Sequence, residues 1–140
     1  MKLKLTTAQK VIITLLVLAC SVAVFMIKLP AMFRKHDLEM HAAFYFTAAA
    51  FFTLLFAGRN FWIHLFILVV LAAFGAGIEY AQEYSNQLVH RRIHGRFDPE
   101  DVKYNIMGLL AFSAIWVTYL LGAWLVRSPQ PGKKPVGEKL

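Results

Sequence analysis

The sequence predicts an all-α membrane protein: a bundle of four transmembrane helices with a polar cluster at one membrane face. Three observations carry this. First, 59% of the 140 residues are hydrophobic and the mean hydropathy is +0.55, against about 45–50% apolar residues in soluble domains. A chain this short has too little interior for that surplus, so much of it must face lipid. Second, the apolar residues are gathered into four runs, each near the length needed to cross a bilayer. Third, residues of both charges collect between the third and fourth runs, from Glu79 to Gly108.

The net charge is +7, but the basic residues are scattered around the apolar runs. They flank membrane spans and face anionic headgroups, which names membrane lipids as partners and excludes nucleic acid. A single cysteine, Cys20, excludes an intramolecular disulfide. There is no zinc-type Cys/His spacing, Gly-rich phosphate loop or G-x-S-x-G elbow, so the sequence assigns no metal ligand set and no cofactor.

The first span is Val11 to Ile27, bounded by Lys10 and by Lys28 and Pro30. From Lys10 to Lys28 a helix rises about 27 Å, close to a hydrocarbon core of about 30 Å. Val17-Leu18-Ala19-Cys20 resembles a lipoprotein cleavage site, but the apolar run continues through Val22, Val24, Phe25, Met26 and Ile27. A retained helix with Cys20 as a plain buried residue is therefore expected. Lys28 to Glu39 reads as a polar connection and His41 to Ala57 as the second span. Gly58-Arg59-Asn60 is a break too short for anything but a tight hairpin. The third span is Phe61 to Ile78, closed by Glu79, and Tyr84 to Phe97 reads as the longest loop, with Arg91, Arg92 and Arg96. Asp98 can cap the fourth helix, Pro99 suits its first position, and Glu100 and Asp101 complement its dipole. This span runs from about Val102 to Val126. Residues 1–126 thus read as one domain and residues 127–140, rich in Pro, Gly and Lys, as a disordered basic tail.

Connectivity and helix rise place His41, Glu79 and Asn105 at similar depth on one membrane face. Asp37 lies one turn outside His41, Gln82 and Glu83 one turn outside Glu79, and Asp101 one turn outside Asn105. Arg96 precedes the fourth helix closely enough to fold back over Glu79 or Asp101 as a charge-assisted pair. The candidate polar site is therefore Asp37, His41, Glu79, Gln82, Arg96, Asp98, Asp101 and Asn105. Small residues at Ala72, Gly75, Ala76 and Gly108 allow close helix approach. Ionisable residues at membrane depth mark a functional site by default, while capping and mutual pairing would make the same cluster a lock for the bundle. His64, near the other face, reads as an interfacial or packed histidine.

On these residues the chain resembles the VanZ-like family of small bacterial membrane proteins. Asp37, His41 and Phe44 match the family's early helix, and Glu79, Gln82, Arg96, Asp98, Asp101, Asn105 and Gly108 match its later motif in order. The likeness covers about residues 30–125. It implies a four-helix protein of the bacterial inner membrane; the family's namesake is associated with low-level resistance to the glycopeptide teicoplanin, one member's phenotype and not a family chemistry. Leu38 stands where the family commonly has Lys, and Phe112 where a second Gly often lies. Three functions compete: binding of an anionic lipid or cell-wall intermediate at the outer face, with the basic loop holding phosphate; a membrane enzyme acting on a lipid-linked phosphate, with Glu79 or Asp101 as base or the acids and His41 around a divalent cation; and a structural or accessory subunit. The binding or accessory readings are favoured over the enzyme. A transporter is disfavoured, because the middle of each span is apolar.

Four spans put both termini on one side, with eight basic residues there against seven on the other. The charge bias is slight, and Trp62 and Trp124 fall on the terminal side as interface anchors would. Cytoplasmic termini are expected. Reporter fusions after Leu140 and within residues 85–95 check this: cytoplasmic activity at the first position and periplasmic activity at the second.

Overall fold

The computed structural model describes residues 5–27, 34–91, 93 and 95–127. The chain forms four helices, each long and apolar enough to cross a membrane. Helix α1 is Thr7–Met26. Its capping box is complete: the Thr6 hydroxyl accepts from the Gln9 backbone N–H at 3.2 Å, and Gln9 Oε1 accepts from the Thr6 N–H at 2.9 Å. Helix α2, Asp37–Phe52, follows a 3₁₀ turn over Arg34–His36. It begins at Asp37, ahead of the expected His41, because Asp37 and Glu39 are well placed in a first turn against the positive end of the dipole.

The second span closes in a π-helical turn, Thr53–Ala57. Gly58 then takes φ +55°, the left-handed conformation that glycine adopts at least cost. Asn60 caps helix α3, accepting from the Ile63 N–H at 3.1 Å, so the tight hairpin stands as expected. Helix α3, Phe61–Leu88, is longer than the sequence reading, which put a loop from Tyr84. The segment after Glu79 has no Gly or Pro, and the Gln87 amide donates to Glu83 Oε1 at 3.1 Å along the helix surface. Lost apolarity marks the exit from lipid here, not the end of the helix. At 28 residues α3 is about 42 Å long, so its last turns stand outside a core of about 30 Å. Tyr80 and Tyr84 stack there with centroids 6.3 Å apart, as interfacial aromatics. Helix α4 is Pro99–Arg127. Asp98 Oδ1 accepts from the Glu100 N–H at 2.9 Å, the cap expected of it. Residues 128–140, which hold nearly all of the expected basic tail, lie outside the described residues.

The buried core lies among α2, α3 and α4: Tyr45, Ala49, Phe52, Leu71, Leu109 and Trp116 are central to it. The tightest approach is between α2 and α4, where a Cβ on Gly108 would overlap the Ala42 carbonyl oxygen. Gly75 has the same role on α3, since a Cβ there would stand 2.7 Å from the Tyr45 hydroxyl and 2.8 Å from the Asn105 amide nitrogen. Helix α1 is peripheral. It is tied at its start by Lys10 Nζ, which donates to the Leu55 carbonyl in the π turn at 2.6 Å, and near its end by Gln82 Nε2, which donates to the Phe25 carbonyl at 2.7 Å. Its outer surface is apolar and exposed, and Cys20 lies on it. The expectation that Cys20 is buried is therefore corrected: a helix packed on one side alone turns most of its residues toward lipid.

Gly108→Ala is expected to lower stability by about 1–3 kcal/mol through overpacking. Gly122→Ala, with open space around its added methyl, should be neutral or raise stability by up to about 1 kcal/mol through helix propensity. Thermal melting in mild detergent separates the two.

Candidate functional site

The three polar residues that the sequence places at similar depth are all buried: His41 is 7%, Glu79 1% and Asn105 2% exposed. They come from α2, α3 and α4. His41 Nδ1 lies 2.9 Å from Asn105 Oδ1. An amide oxygen only accepts, so Nδ1 donates. In the neutral ring this leaves Nε2 with a free lone pair. That nitrogen faces two carboxylates, 3.9 Å from Asp37 Oδ1 and 3.9 Å from Asp101 Oδ2. Spacing accounts for both approaches: Asp37 is one turn before His41 on α2, and Asp101 is one turn before Asn105 on α4. Phe25 of α1 closes the apolar side, its ring 5.3 Å from the His41 ring.

Glu79 sits beside this group, close enough for Asp101 and His41 to act on it electrostatically. Among the described residues its one hydrogen bond is a long contact, 3.4 Å, from the backbone N–H of Asp98. Burying a carboxylate with so little compensation is costly, and no Lys or Arg whose side chain is described pairs with Glu79, Asp37 or Asp101. The expected pairing of Arg96 with Glu79 or Asp101 is not formed. Arg96 is exposed, and the loop before α4 turns the Asp98 backbone, not the guanidinium, toward Glu79. Outward solvation of the guanidinium avoids the cost of desolvating it.

Two further expected site residues lie apart from the His41 group. Gln82 turns to α1 through the Phe25 carbonyl, and its Oε1 lies where a Cβ on Gly95 would come within 2.8 Å. The Asp98 carboxylate is exposed and spent on the α4 cap. Structure thus divides the eight candidates into a group around His41, with Asp37, Glu79, Asp101 and Asn105, a buried Gln82 turned to α1, and the exposed Arg96 and Asp98.

One rim residue is missing from the sequence reading. Asn86 Nδ2 donates to the Gly95 carbonyl at 2.6 Å, and Asn86 Oδ1 accepts from the Ile93 N–H at 2.8 Å. This clamp folds the loop back against the end of α3. It depends on the extra helical turn beyond Tyr84, which the sequence reading gave to the loop. Arg91 and Arg96 are exposed on either side of it, while Arg92 and His94 lie outside the described residues.

A second buried polar group lies toward the opposite end of the bundle. His64 is 1% exposed; its Nδ1 lies 2.9 Å from Thr53 Oγ1, its Nε2 3.0 Å from Ser113 Oγ, and its ring stacks on Trp116 at 4.1 Å. A neutral imidazole has one donor and one acceptor, and each hydroxyl can complement either. His64 is therefore satisfied and locks α2, α3 and α4 together; of the two sequence alternatives, packed is the right one. A shallow groove lined by Arg59, Tyr119, Gly122, Ala123 and Val126 also lies at that end, away from the acid group.

No protein-family model, curated protein or solved structure matches this chain.

Asn105→Ala should leave the His41 Nδ1–H buried without its acceptor and lower stability by about 1–3 kcal/mol. Arg96→Ala should leave stability within about 0.5 kcal/mol, because the side chain is an exposed surface group. Melting temperatures in one detergent check the pair.

Proposed function

We propose that the chain is a VanZ-like multi-pass protein of the bacterial inner membrane, with cytoplasmic termini, that binds an anionic lipid or lipid-linked cell-wall intermediate at its outer face. The observation that carries this is the Asn86 clamp. It holds a basic loop at the membrane boundary with Arg91 and Arg96 exposed. Guanidinium groups bind phosphate bidentately, and a loop fixed beforehand loses less entropy on binding. The resemblance at Asp37, His41, Glu79, Arg96, Asp101 and Asn105 supports the envelope setting and makes teicoplanin tolerance the phenotype to examine in a deletion strain.

A second reading, an enzyme acting on a lipid-linked phosphate, is favoured by one feature. The His41 Nε2, set between two carboxylates, is placed as a general acid or base would be. A purely structural role draws instead on the His41–Asn105 bond, which ties α2 to α4.

Each basic residue near an anionic surface contributes about 1 kcal/mol. Arg91→Ala combined with Arg96→Ala should therefore weaken retention of anionic lipid by about thirtyfold without changing the melting temperature. Native mass spectrometry of the protein from mild detergent, with added phosphatidylglycerol against phosphatidylcholine, measures this. Equal retention by wild type and variant would overturn the binding reading.

A further inference from the structure

We propose that Asp37, His41 and Asp101 form a binding site for a divalent transition-metal ion such as Mn²⁺ or Zn²⁺. Each residue offers one donor atom, and these atoms lie within 4.8 Å of one another. The two nitrogen–oxygen separations are 3.9 Å. Ligands about 2.1 Å from a tetrahedral metal are about 3.4 Å apart, so the two histidine–carboxylate pairs need to close by about half an ångström and the Asp37–Asp101 pair, within 4.8 Å, by at most about 1.4 Å. One imidazole and two carboxylates form a mixed donor set. It suits Mn²⁺ or Zn²⁺ better than the all-oxygen shells of Ca²⁺ and Mg²⁺.

Two observations apart from the donor spacing point the same way. The first is ring orientation. Metal-bound histidines usually donate their other N–H to a fixed acceptor, which sets the tautomer and aims the lone pair. Asn105 Oδ1 does this for His41 at 2.9 Å, with both side chains buried. The second is charge. Asp37, Asp101 and Glu79 bring three carboxylates together, and the described side chains supply no Lys or Arg to them. Lys103 is engaged with Glu100 at 3.0 Å, on the exposed side of α4. A dication would offset charge carried by these carboxylates, and its attraction is strong where the groups are shielded from water.

Glu79 is buried and, among the described residues, holds a single 3.4 Å contact from the Asp98 N–H. It acts as a neighbour that deepens the negative potential, outside the ligand set. The Asp37 side chain is 38% exposed, against 9% for His41 and 14% for Asp101, so the site opens to water on the Asp37 side. Three protein ligands leave one position for water or for an anionic oxygen from that side. The cation site stands apart from the lipid-binding reading, because it needs no lipid for its formation or its test.

Full-length protein in mild detergent, stripped of metal by a chelator, is titrated with Mn²⁺ and followed by electron paramagnetic resonance, then challenged with Zn²⁺. Wild type should bind one Mn²⁺ per chain, displaced by Zn²⁺. Asp37→Asn should weaken binding at least tenfold, and adding Asp101→Asn should abolish it. Glu100→Gln, at an exposed acid on the same turn as Asp101, should bind as wild type does. Asp37 is half-exposed, so Asp37→Asn decides the case even where the double variant fails to fold. Absence of stoichiometric Mn²⁺ and Zn²⁺ binding by wild type, or unchanged affinity in Asp37→Asn, would overturn the proposal.

Discussion

The polar site depends on one steric fact: Gly108 has no side chain. Helices α2 and α4 meet backbone to backbone where Gly108 faces the Ala42 carbonyl. His41 precedes Ala42, and Asn105 lies one turn before Gly108, so this contact puts the imidazole against the amide. The bond between them, 2.9 Å long and buried, forms only because the two helices are this close. In lipid there is no hydrophobic force between helices, so small residues and interhelical hydrogen bonds have to hold them. Gly108 supplies the approach and His41–Asn105 the bond. Gly75 repeats the approach on α3, where its bare Cα makes room for Tyr45 and Asn105.

The two ends of the bundle differ in kind. Around His64 every polar group has a neutral partner, and Thr53 and Ser113 satisfy both ring nitrogens. Such a network rigidifies without storing charge. Around His41 carboxylates gather without a basic partner among the described residues, and the exposed guanidiniums of Arg91 and Arg96 remain at the rim. Buried charges are costly unless compensated, so the two ends pose different electrostatic problems.

Much of the architecture was legible in the sequence because the bilayer is a strict selector. Backbone groups in hydrocarbon must be satisfied internally, so long apolar runs become helices, and the Gly58-Arg59-Asn60 break and the Asp98-Pro99 start behave as local chemistry requires. The errors fell where hydropathy and helicity part company. Tyr84 to Leu88 is polar but still helical, and Asp37 to Glu39 is helix rather than connection.

What the sequence alone determined was the number of spans, their hinges and the common depth of His41, Glu79 and Asn105, because helix rise and connectivity fix height. What it left to the tertiary structure was direction. Depth does not say which way a side chain turns around a helix axis or where a loop folds. Helix packing turned Gln82 toward α1, aimed His41 between Asp37 and Asp101, and left Arg96 in water while the Asp98 backbone faced Glu79. Those choices follow from contacts between residues far apart in the chain, such as Gly108 against Ala42 and Asn86 against Gly95, which local spacing does not encode.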